Sequence, residues 1–364
     1  MGRLLLVVVL LTACGPVVPR AATVTPSPTA ASPQSSPSPP SRSPFLAVVG
    51  GPKNSSVSLV ASDGTVVATA AVDLALFRMH AMMSWTSASR TRVYYLNGGS
   101  EVRFLAPDGT TGAVTRIALG ASEQAGFAVS PDDASIAVAV FSYTLASGPP
   151  ASATYNGMRL YVEDLHGGGH HVDIFSSTTV AEFPIGWTGG RLILAVSHSA
   201  CCRADPINPY DATSYHVVDP ASGTRLASLC DVGDGPEGPI EPVGVACSKL
   251  EPDYLHWDGS HFVPPAAVPN PSQYLNALSP DGTRVAVGQP DFSGLGIRIW
   301  IFGPSGGGHA LKQSGYVLGW LDDIRIVIRQ IDSPALSVLE LDMQSSSQIA
   351  TGGSYLGTFP TSLN

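Results

Sequence analysis

Lysine and long apolar runs are both scarce in this chain of 364 residues. Three lysines accompany sixteen arginines, the net charge is −9, and no basic cluster is interleaved with aromatic residues. Because nucleic-acid binding depends on clustered positive charge, the sequence argues against that class of partner. Beyond Leu11 no apolar run approaches the ~20 residues of a membrane-spanning helix, so we expect no such helix after the N-terminus.

Helical periodicity is also scarce, whereas paired strand signals recur along the chain. The segments 127–140 and 278–287 each contain an apolar strand, a turn that begins Ser-Pro-Asp, and a second apolar strand. In such a turn Pro presets φ at the first corner and Asp hydrogen-bonds back to the backbone. The paired signals predict an all-β fold.

A second pattern, an alternating apolar strand followed by a turn rich in Asp, Gly and Ser, occurs seven times. Its copies begin at Val57, Val102, Leu160, Tyr215, Tyr254, Ile297 and Leu336. They start roughly 40 to 60 residues apart, which is the period of a four-stranded propeller blade. The sequence therefore predicts a seven-bladed β-propeller over residues 45–364. Six or eight blades stay possible, because the copy at Tyr254 is weak.

The two ends of this predicted propeller complement each other. Blade one begins abruptly at Phe45 without a preceding first strand, and the segment 355–359 repeats the pattern of 316–320. We expect the C-terminal segment to supply the missing first strand of blade one. Such pairing would close the ring and cover strand edges that are otherwise open to aggregation.

These motifs resemble the TolB-like propeller repeats of exported bacterial proteins, which are related to WD-type repeats. The resemblance covers most of residues 45–355 and rests on Ser130-Pro131-Asp132, on the segment 279–282 and on the Asp-Gly hairpin turns. The Trp-Asp dipeptide of the WD type is missing, and Glu163-Asp164 or Val218-Asp219 stand in its place. The resemblance implies a fold rather than an activity, since the family includes binding platforms, accessory domains of enzymes and proteins without an assigned role.

The N-terminus has the features of an export signal. Arg3 precedes an apolar run from Leu4 to Leu11, and the small residues Thr12 and Ala13 stand before Cys14. This arrangement resembles the lipobox of bacterial lipoproteins, in which the signal is cut before a cysteine whose thiol carries diacylglycerol. We expect a signal peptide over 1–13 and an extracytoplasmic protein anchored to the bacterial cell membrane through lipid on Cys14. An ordinary secretory signal or an uncleaved anchor is the alternative.

Between the signal and the propeller, residues 14–44 contain the lipidated cysteine and a linker of Pro, Ser, Thr and Ala. A segment with so few large apolar residues cannot bury enough surface to offset its ordering entropy. We therefore expect a disordered tether that holds the folded domain away from the membrane surface.

Four further cysteines suggest disulfides, because the chain is expected to be exported. The candidates are Cys201, Cys202, Cys230 and Cys247, with three possible connectivities. A bond between the neighbours Cys201 and Cys202 would close a strained ring, so we expect each of them to pair with a distant partner. Such bonds would join blade four to blade five. Free buried thiols, or redox or metal chemistry, are the alternatives.

Four long insertions are expected on one face of the propeller, at 142–157, 198–213, 231–241 and 289–296. In a blade of alternating strands, the links between strands two and three share a face with the connections between blades. Long loops in a compact repeat usually have a function, and aromatic and charged residues suit recognition. The candidates for partner binding are Tyr143, Tyr155, Arg203, Asp205, Tyr210, Asp291 and Phe292. Solvated spacers are the alternative.

No catalytic residue and no metal site is predicted. The segment 303–307 fits the Gly-x-Ser-x-Gly nucleophile pattern, but it occupies a hairpin position rather than a strand-to-helix elbow. His170 and His171 are adjacent on a strand and would point to opposite faces, so they do not favour a shared ion. The acidic residues Asp231, Asp234 and Glu237 are a weak calcium candidate, since their spacing departs from the known calcium loop. The Asp box of sialidase-type propellers is missing.

The sequence favours a non-catalytic binding or scaffold module for a protein, peptide or glycan. A propeller presents rigid edges and variable loops, which suit binding more often than chemistry. We expect a monomer without a cofactor other than the diacylglycerol on Cys14. An extracytoplasmic lyase or hydrolase with its site at the channel mouth is the alternative, and a structural envelope component is a third possibility.

Overall fold

A computed structural model describes residues 44–73, 85–145, 153–197, 212, 214–230, 244–247, 254–261, 276–291, 296–303 and 307–360. Within these ranges the regular structure is β-strand, apart from a 3-10 turn at Pro52–Asn54. No helix among the described residues has the length and apolar character needed to cross a membrane. The predicted all-β fold is confirmed.

The strands follow one another along the chain with short turns. The first eleven are β1 (Leu46–Gly50), β2 (Ser56–Val60), β3 (Val66–Ala71), β4 (Thr86–Ala88), β5 (Val93–Asn97), β6 (Glu101–Leu105), β7 (Thr111–Arg116), β8 (Glu123–Val129), β9 (Ser135–Leu145), β10 (Ala153–Asp164) and β11 (His171–Ser177). The next eight are β12 (Ala181–Thr188), β13 (Arg191–Ser197), β14 (Ser214–Val218), β15 (Arg225–Leu229), β16 (Gly244–Ala246), β17 (Tyr254–His256), β18 (Asn276–Leu278) and β19 (Val285–Asp291). The remaining seven are β20 (Gly296–Phe302), β21 (Gly308–Ser314), β22 (Tyr316–Asp322), β23 (Arg325–Arg329), β24 (Leu336–Glu340), β25 (Ser345–Ala350) and β26 (Ser354–Phe359).

Consecutive strands pair antiparallel into separate sheets. Within the described residues there are six four-stranded sheets and one pair, with the orders β26-β1-β2-β3, β4 to β7, β8 to β11, β12 to β15, β16-β17, β18 to β21 and β22 to β25. We number these sheets one to seven in that order. In each four-stranded sheet the third strand carries a copy of the predicted Asp-Gly pattern. Sheet five has two strands in the described part, so the blade count of seven stays a prediction.

Neighbouring sheets bury their apolar faces against each other. Phe141 of sheet three stacks on Phe183 of sheet four with ring centroids 4.8 Å apart. Tyr215 of sheet four meets the edge of Trp257, which follows β17, at 5.8 Å. These four rings belong to one buried cluster that spans sheets three, four and five. Tandem antiparallel sheets that pack face to face in sequence order are the arrangement of a propeller.

The C-terminal strand closes the ring as predicted. β26 pairs with β1 in the register Leu46↔Phe359 to Gly50↔Ser354 and forms the first strand of sheet one. The Tyr355 hydroxyl donates to the backbone oxygen of Trp320 in sheet seven at 3.2 Å. The last described strand therefore joins the first and seventh sheets.

Each sheet has two ends with different connections. The turns between the first and second strands, and between the third and fourth, lie at one end, which we call the turn face. The links between the second and third strands, and the connections from sheet to sheet, lie at the other, the hairpin face. At the turn face of sheet three Ser130 donates to Asp132 at 2.6 Å, and Ser279 donates to Asp281 at 2.6 Å in sheet six. The Ser-Pro-Asp segments therefore form the predicted turns.

One disulfide joins sheets four and five, but its partners differ from those predicted. Cys230, directly after β15, bonds to Cys247, directly after β16, and their Cα atoms lie 4.8 Å apart. The expectation that Cys201 and Cys202 would pair with these two cysteines is therefore wrong. The ends of β15 and β16 approach within bonding distance, and sequence spacing does not reveal that approach. Cys201 and Cys202 lie outside the described residues.

Candidate functional site

The hairpin face of sheet three carries a ribbon that projects beyond the rest of the sheet. β9 and β10 pair as far as Leu145↔Ala153, whereas β8 begins opposite Ser142. On the other side β11 ends opposite Met158. The last three pairs of the ribbon thus have no neighbouring strand in the described part of the chain, and at ~3.4 Å per residue they extend about 10 Å. The insertion predicted as a loop at 142–157 is largely β-structure, and 146–152 lie outside the described residues.

The two tyrosines predicted for partner binding face each other across this ribbon. Tyr143 and Tyr155 are register partners, and their rings meet edge to face at 6.1 Å. Tyr143 is only 5% exposed, so the expectation that it offers an accessible contact is wrong. The Tyr155 ring is half-buried, and its hydroxyl lies 3.1 Å from the backbone oxygens of Ser177 and Val180, to which it donates. Both rings therefore support the ribbon from within, and burial raises the pKa of each phenol.

A β-bulge lies at the base of the ribbon. The pairing of β9 and β10 shifts between Tyr155 and Gly157, and Gly157 has φ +147°. A Cβ atom at Gly157 would lie 3.1 Å from the Ser177 backbone oxygen and 3.3 Å from the Thr178 side chain. Glycine at this position permits both the backbone conformation and the close approach of the two strands.

An open cleft of about 550 Å³ lies beside the bulge. Its lining combines hydroxyl side chains, two apolar residues and one guanidinium, and we call it the serine cleft: Val140, Ser142, Gly157, Met158, Arg159, Ser176, Ser177 and Thr178. Val140, Arg159 and Ser176 are register partners across β9, β10 and β11. They form one row on one face of the sheet, because paired residues point to the same side.

Arg159 is fixed by a two-pronged ion pair. Its Nη1 donates to Glu123 Oε1 at 2.6 Å and its Nη2 donates to Glu123 Oε2 at 3.1 Å. Nη2 also donates to the backbone oxygen of Ala118, in the connection between sheets two and three, at 3.3 Å. The Arg159 hydrogen bonds lower the pKa of the Glu123 carboxyl despite its partial burial, and the Gly120 amide adds to this effect. The pair therefore carries no net charge at neutral pH.

A second charged group, not predicted from the sequence, is buried in sheet four. Glu182 on β12 is 2% exposed, and its Oε1 lies 3.0 Å from Nδ1 of His216 on β14. The half-exposed Arg225 reaches the same carboxylate oxygen at 3.5 Å. His216 is 8% exposed, so both members of the close pair are shielded from a ligand of any size. The sequence signal that could have indicated this buried carboxylate is a Glu placed between the apolar residues Ala181 and Phe183.

The remaining predicted site residues stay predictions. Asp291 is the last residue of β19. The others lie outside the described residues: Cys14, Cys201, Cys202, Arg203, Asp205, Tyr210, Asp231, Asp234, Glu237 and Phe292.

His171 stacks on Tyr161 at 4.8 Å and lies 3.2 Å from Asp173 Oδ1. In the described ranges no three His, Cys, Asp or Glu side chains are grouped to hold a metal ion.

The Gly-x-Ser-x-Gly segment has the context predicted for a turn. Gly303 follows β20 and Gly307 precedes β21, and these two strands pair antiparallel. A nucleophile elbow requires a strand followed by a helix, so this segment lacks the setting of that motif.

Comparisons with known proteins find distant structural likenesses among solved structures. No family model and no curated protein sequence matches the chain. Among solved structures, dipeptidyl peptidase 4 from Porphyromonas gingivalis is similar with TM-score 0.48 and 10% identity, over 73% of this chain and 45% of that one. TolB from Acinetobacter baumannii is similar with TM-score 0.37 and 12% identity, over 85% of this chain and 64% of TolB. An oligogalacturonate lyase in complex with manganese has TM-score 0.34 and 11% identity, over 82% and 74%. Likenesses this distant carry no argument about function.

Proposed function

We propose that this protein is a non-catalytic binding module, anchored outside the cytoplasm by lipid on Cys14, that captures its partner at the hairpin face of sheet three. The observation that carries the proposal is the projecting ribbon of β9 and β10 with the serine cleft at its base. A ribbon that extends about 10 Å beyond its sheet on a rigid scaffold is suited to contact with a second molecule.

The accessible side chains of the ribbon are polar and small. Thr144, Thr154 and Asn156 are exposed, and the Asn156 amide nitrogen donates to the Thr144 hydroxyl at 2.9 Å. Beneath them the Tyr143 and Tyr155 rings hold the ribbon in place. A contact surface whose backbone is already ordered loses little conformational entropy on binding, which favours affinity.

The proposed lipid anchor and the tether would locate the protein at the membrane, outside the cytoplasm. A diacylglycerol on Cys14 would contribute ~0.8 kcal/mol for each buried methylene, so two or three acyl chains would hold the protein firmly at the membrane. The linker 14–44 would keep the hairpin face accessible. The variant Cys14→Ser should therefore move the protein from the membrane fraction to the soluble fraction, and metabolic labelling with a tagged fatty acid should disappear. Labelling that persists would contradict the lipid on Cys14.

The binding role is tested with the full chain as bait for envelope components. The double variant Thr144→Arg and Thr154→Arg places two large cations on the exposed side of the ribbon. We expect it to capture at least about tenfold less of the components held by the original chain, because bulk and charge at a contact surface disrupt complementarity.

A matched variant controls for the added charge. Thr110 is exposed in the β6–β7 turn at the turn face, so Thr110→Arg introduces the same side chain at the opposite end of the molecule. Its capture should equal that of the original chain. Equal capture by the ribbon double variant would exclude the projecting ribbon as the contact surface.

A further inference from the structure

We propose that the serine cleft binds an uncharged saccharide, with sugar hydroxyls on its serine and threonine side chains and a C–H face on its apolar floor. This inference rests on the proposed binding function and deepens it by naming a class of ligand. It is carried by the hydroxyl groups, the charge balance and the shape of the cleft.

The hydroxyls at the rim are available for a ligand. The side-chain hydroxyls of Ser142, Ser176 and Thr178 make no hydrogen bond to another described residue, whereas the Ser177 hydroxyl accepts from the amides of Thr179 and Val180. A serine or threonine hydroxyl both donates and accepts, and so does each hydroxyl of a sugar. Three such groups around one cavity therefore match a polyhydroxylated ligand better than a ligand with acceptors alone.

The charge balance of the cleft disfavours ions. Arg159 is the cation of the lining, and both of its terminal nitrogens already donate to Glu123. An anion at Arg159 would have to displace the carboxylate or lie beside its negative charge. A cation in the cleft would be repelled by the positive charge of the Arg159 guanidinium. The ion pair therefore presents polar atoms in fixed positions without favouring a charged ligand.

The floor and the size of the cleft fit a sugar ring. Val140 is buried and lies in the row of Arg159 and Ser176, at the floor of the cleft. The Met158 side chain points to the other face of the sheet, where its sulfur accepts from the Glu182 amide. Sugars have an apolar face of C–H groups and a polar rim, so they match a lining that combines both kinds of surface. The volume of about 550 Å³ lies in the usual range for small-ligand sites, ~300–1,000 Å³. The glycine at the bulge keeps the space between Ser142 and Thr178 free of a side chain.

The experiment uses the full chain and a printed array of neutral oligosaccharides that contain glucose, galactose, mannose, arabinose and N-acetylglucosamine. The best binder is then measured by isothermal titration against the double variant Ser142→Ala and Ser176→Ala, which removes two hydroxyls without adding bulk to the cleft. Since the variant removes two hydrogen bonds to the ligand, we expect affinity to fall at least about tenfold. Thr110→Val, at the turn face, should leave affinity unchanged.

Three results would overturn the proposal. These are the absence of any neutral oligosaccharide that binds at up to about 10 mM, unchanged affinity in the serine double variant, and tighter binding of inorganic phosphate or sulfate than of sugar in an Arg159-dependent manner. The wider binding function is tested separately, because the Thr144→Arg and Thr154→Arg ribbon variant lies outside the lining of the cleft. Loss of capture by the ribbon variant together with a negative array would refute the saccharide and leave the ribbon as the contact surface.

Discussion

At the turn face, the Asp133 carboxylate of sheet three accepts hydrogen bonds from the Thr91 and Tyr94 hydroxyls of sheet two, the latter at 2.8 Å. At the hairpin face of the same sheet, Ser142 and Ser176 have no such partner among the described residues. A carboxylate also joins sheets six and seven at the turn face, where the Asp281 backbone amide donates to Asp323 Oδ1 at 3.0 Å. At the turn face, carboxylates thus join neighbouring sheets, whereas the Ser142 and Ser176 hydroxyls at the hairpin face of sheet three make no hydrogen bond to another described residue.

This difference separates stability from function. Hydrogen bonds that join sheets contribute to the free energy of unfolding, so their loss should destabilise the protein. Hydroxyls without a partner contribute little to folding, so their removal should affect binding alone. Substitutions at the two faces should consequently give different ratios of lost stability to lost binding.

The largest effect on stability should come from deletion of β26, because this strand pairs with β1 along its whole length, from the turn face to the hairpin face. Removal of residues 354–364 exposes the edge of β1 and deletes the buried side chains of Tyr355 and Phe359. Burial of two aromatic side chains is worth roughly 3–6 kcal/mol, so we expect the melting temperature to fall by roughly 10 °C or more. Differential scanning calorimetry measures this change. Deletion of 361–364 alone is the control and should melt as the full chain does.

An unchanged melt of the longer deletion would show that the β26–β1 pairing does not hold the ring together. It would also remove the reason to treat the sheets as one closed unit.

The next largest effect should come from a buried cation at the turn face of sheet seven. Arg325 is 8% exposed and donates to Asp322 at 2.9 Å and to Glu340 at 3.2 Å. The variant Arg325→Met leaves two shielded carboxylates without this cation, which typically costs about 3–5 kcal/mol. Urea unfolding at neutral pH should show that loss. Arg116→Met is the matched control, since Arg116 is 72% exposed at 4.0 Å from Glu101, and it should change the unfolding free energy by less than about 0.5 kcal/mol.

A smaller effect should follow at the junction of sheets two and three. Asp133→Ala removes the acceptor for the Thr91 and Tyr94 hydroxyls, and we expect a loss of about 2 kcal/mol in urea unfolding. Asp133 has φ +62°, a conformation that Asn tolerates and Ala does not. Asp133→Asn also retains one acceptor oxygen, so it should lose less than half as much. Equal stability of the alanine variant and the original chain would contradict the role of the turn face in joining sheets.

Most of the fold could be predicted because it depends on local patterns. The Ser-Pro-Asp turns at Ser130 and Ser279 and the alternating third strands are properties of short segments, and the repeat of the Trp320 segment near Tyr355 indicated closure. The candidate site could not be predicted in the same way. The row of Val140, Arg159 and Ser176 depends on strand register, and the Cys230–Cys247 bond depends on the approach of two strand ends, which local patterns do not specify. Loop length identified the ribbon region, but Tyr143 was wrongly expected at its surface because an aromatic residue at a ribbon base packs inward.

The smallest effect, and the one that most sharpens the contrast between the faces, concerns the Arg159–Glu123 pair at the hairpin face. The pKa of Glu123 is lowered in the folded protein, chiefly by hydrogen bonds from Arg159. A carboxyl with a lowered folded-state pKa stabilises the fold above its unfolded-state pKa, about 4.3, and loses that contribution as pH falls through the lower folded-state value. Glu123→Gln should therefore reduce the unfolding free energy at pH 7 by roughly 0.5–1 kcal/mol, since the pair is partly exposed to solvent. The difference between Glu123→Gln and the original chain should shrink below about pH 4 in parallel urea titrations. A difference that does not shrink at all as the pH falls from 7 through the lowered folded-state pKa would show that Glu123 acts through packing rather than through its charge.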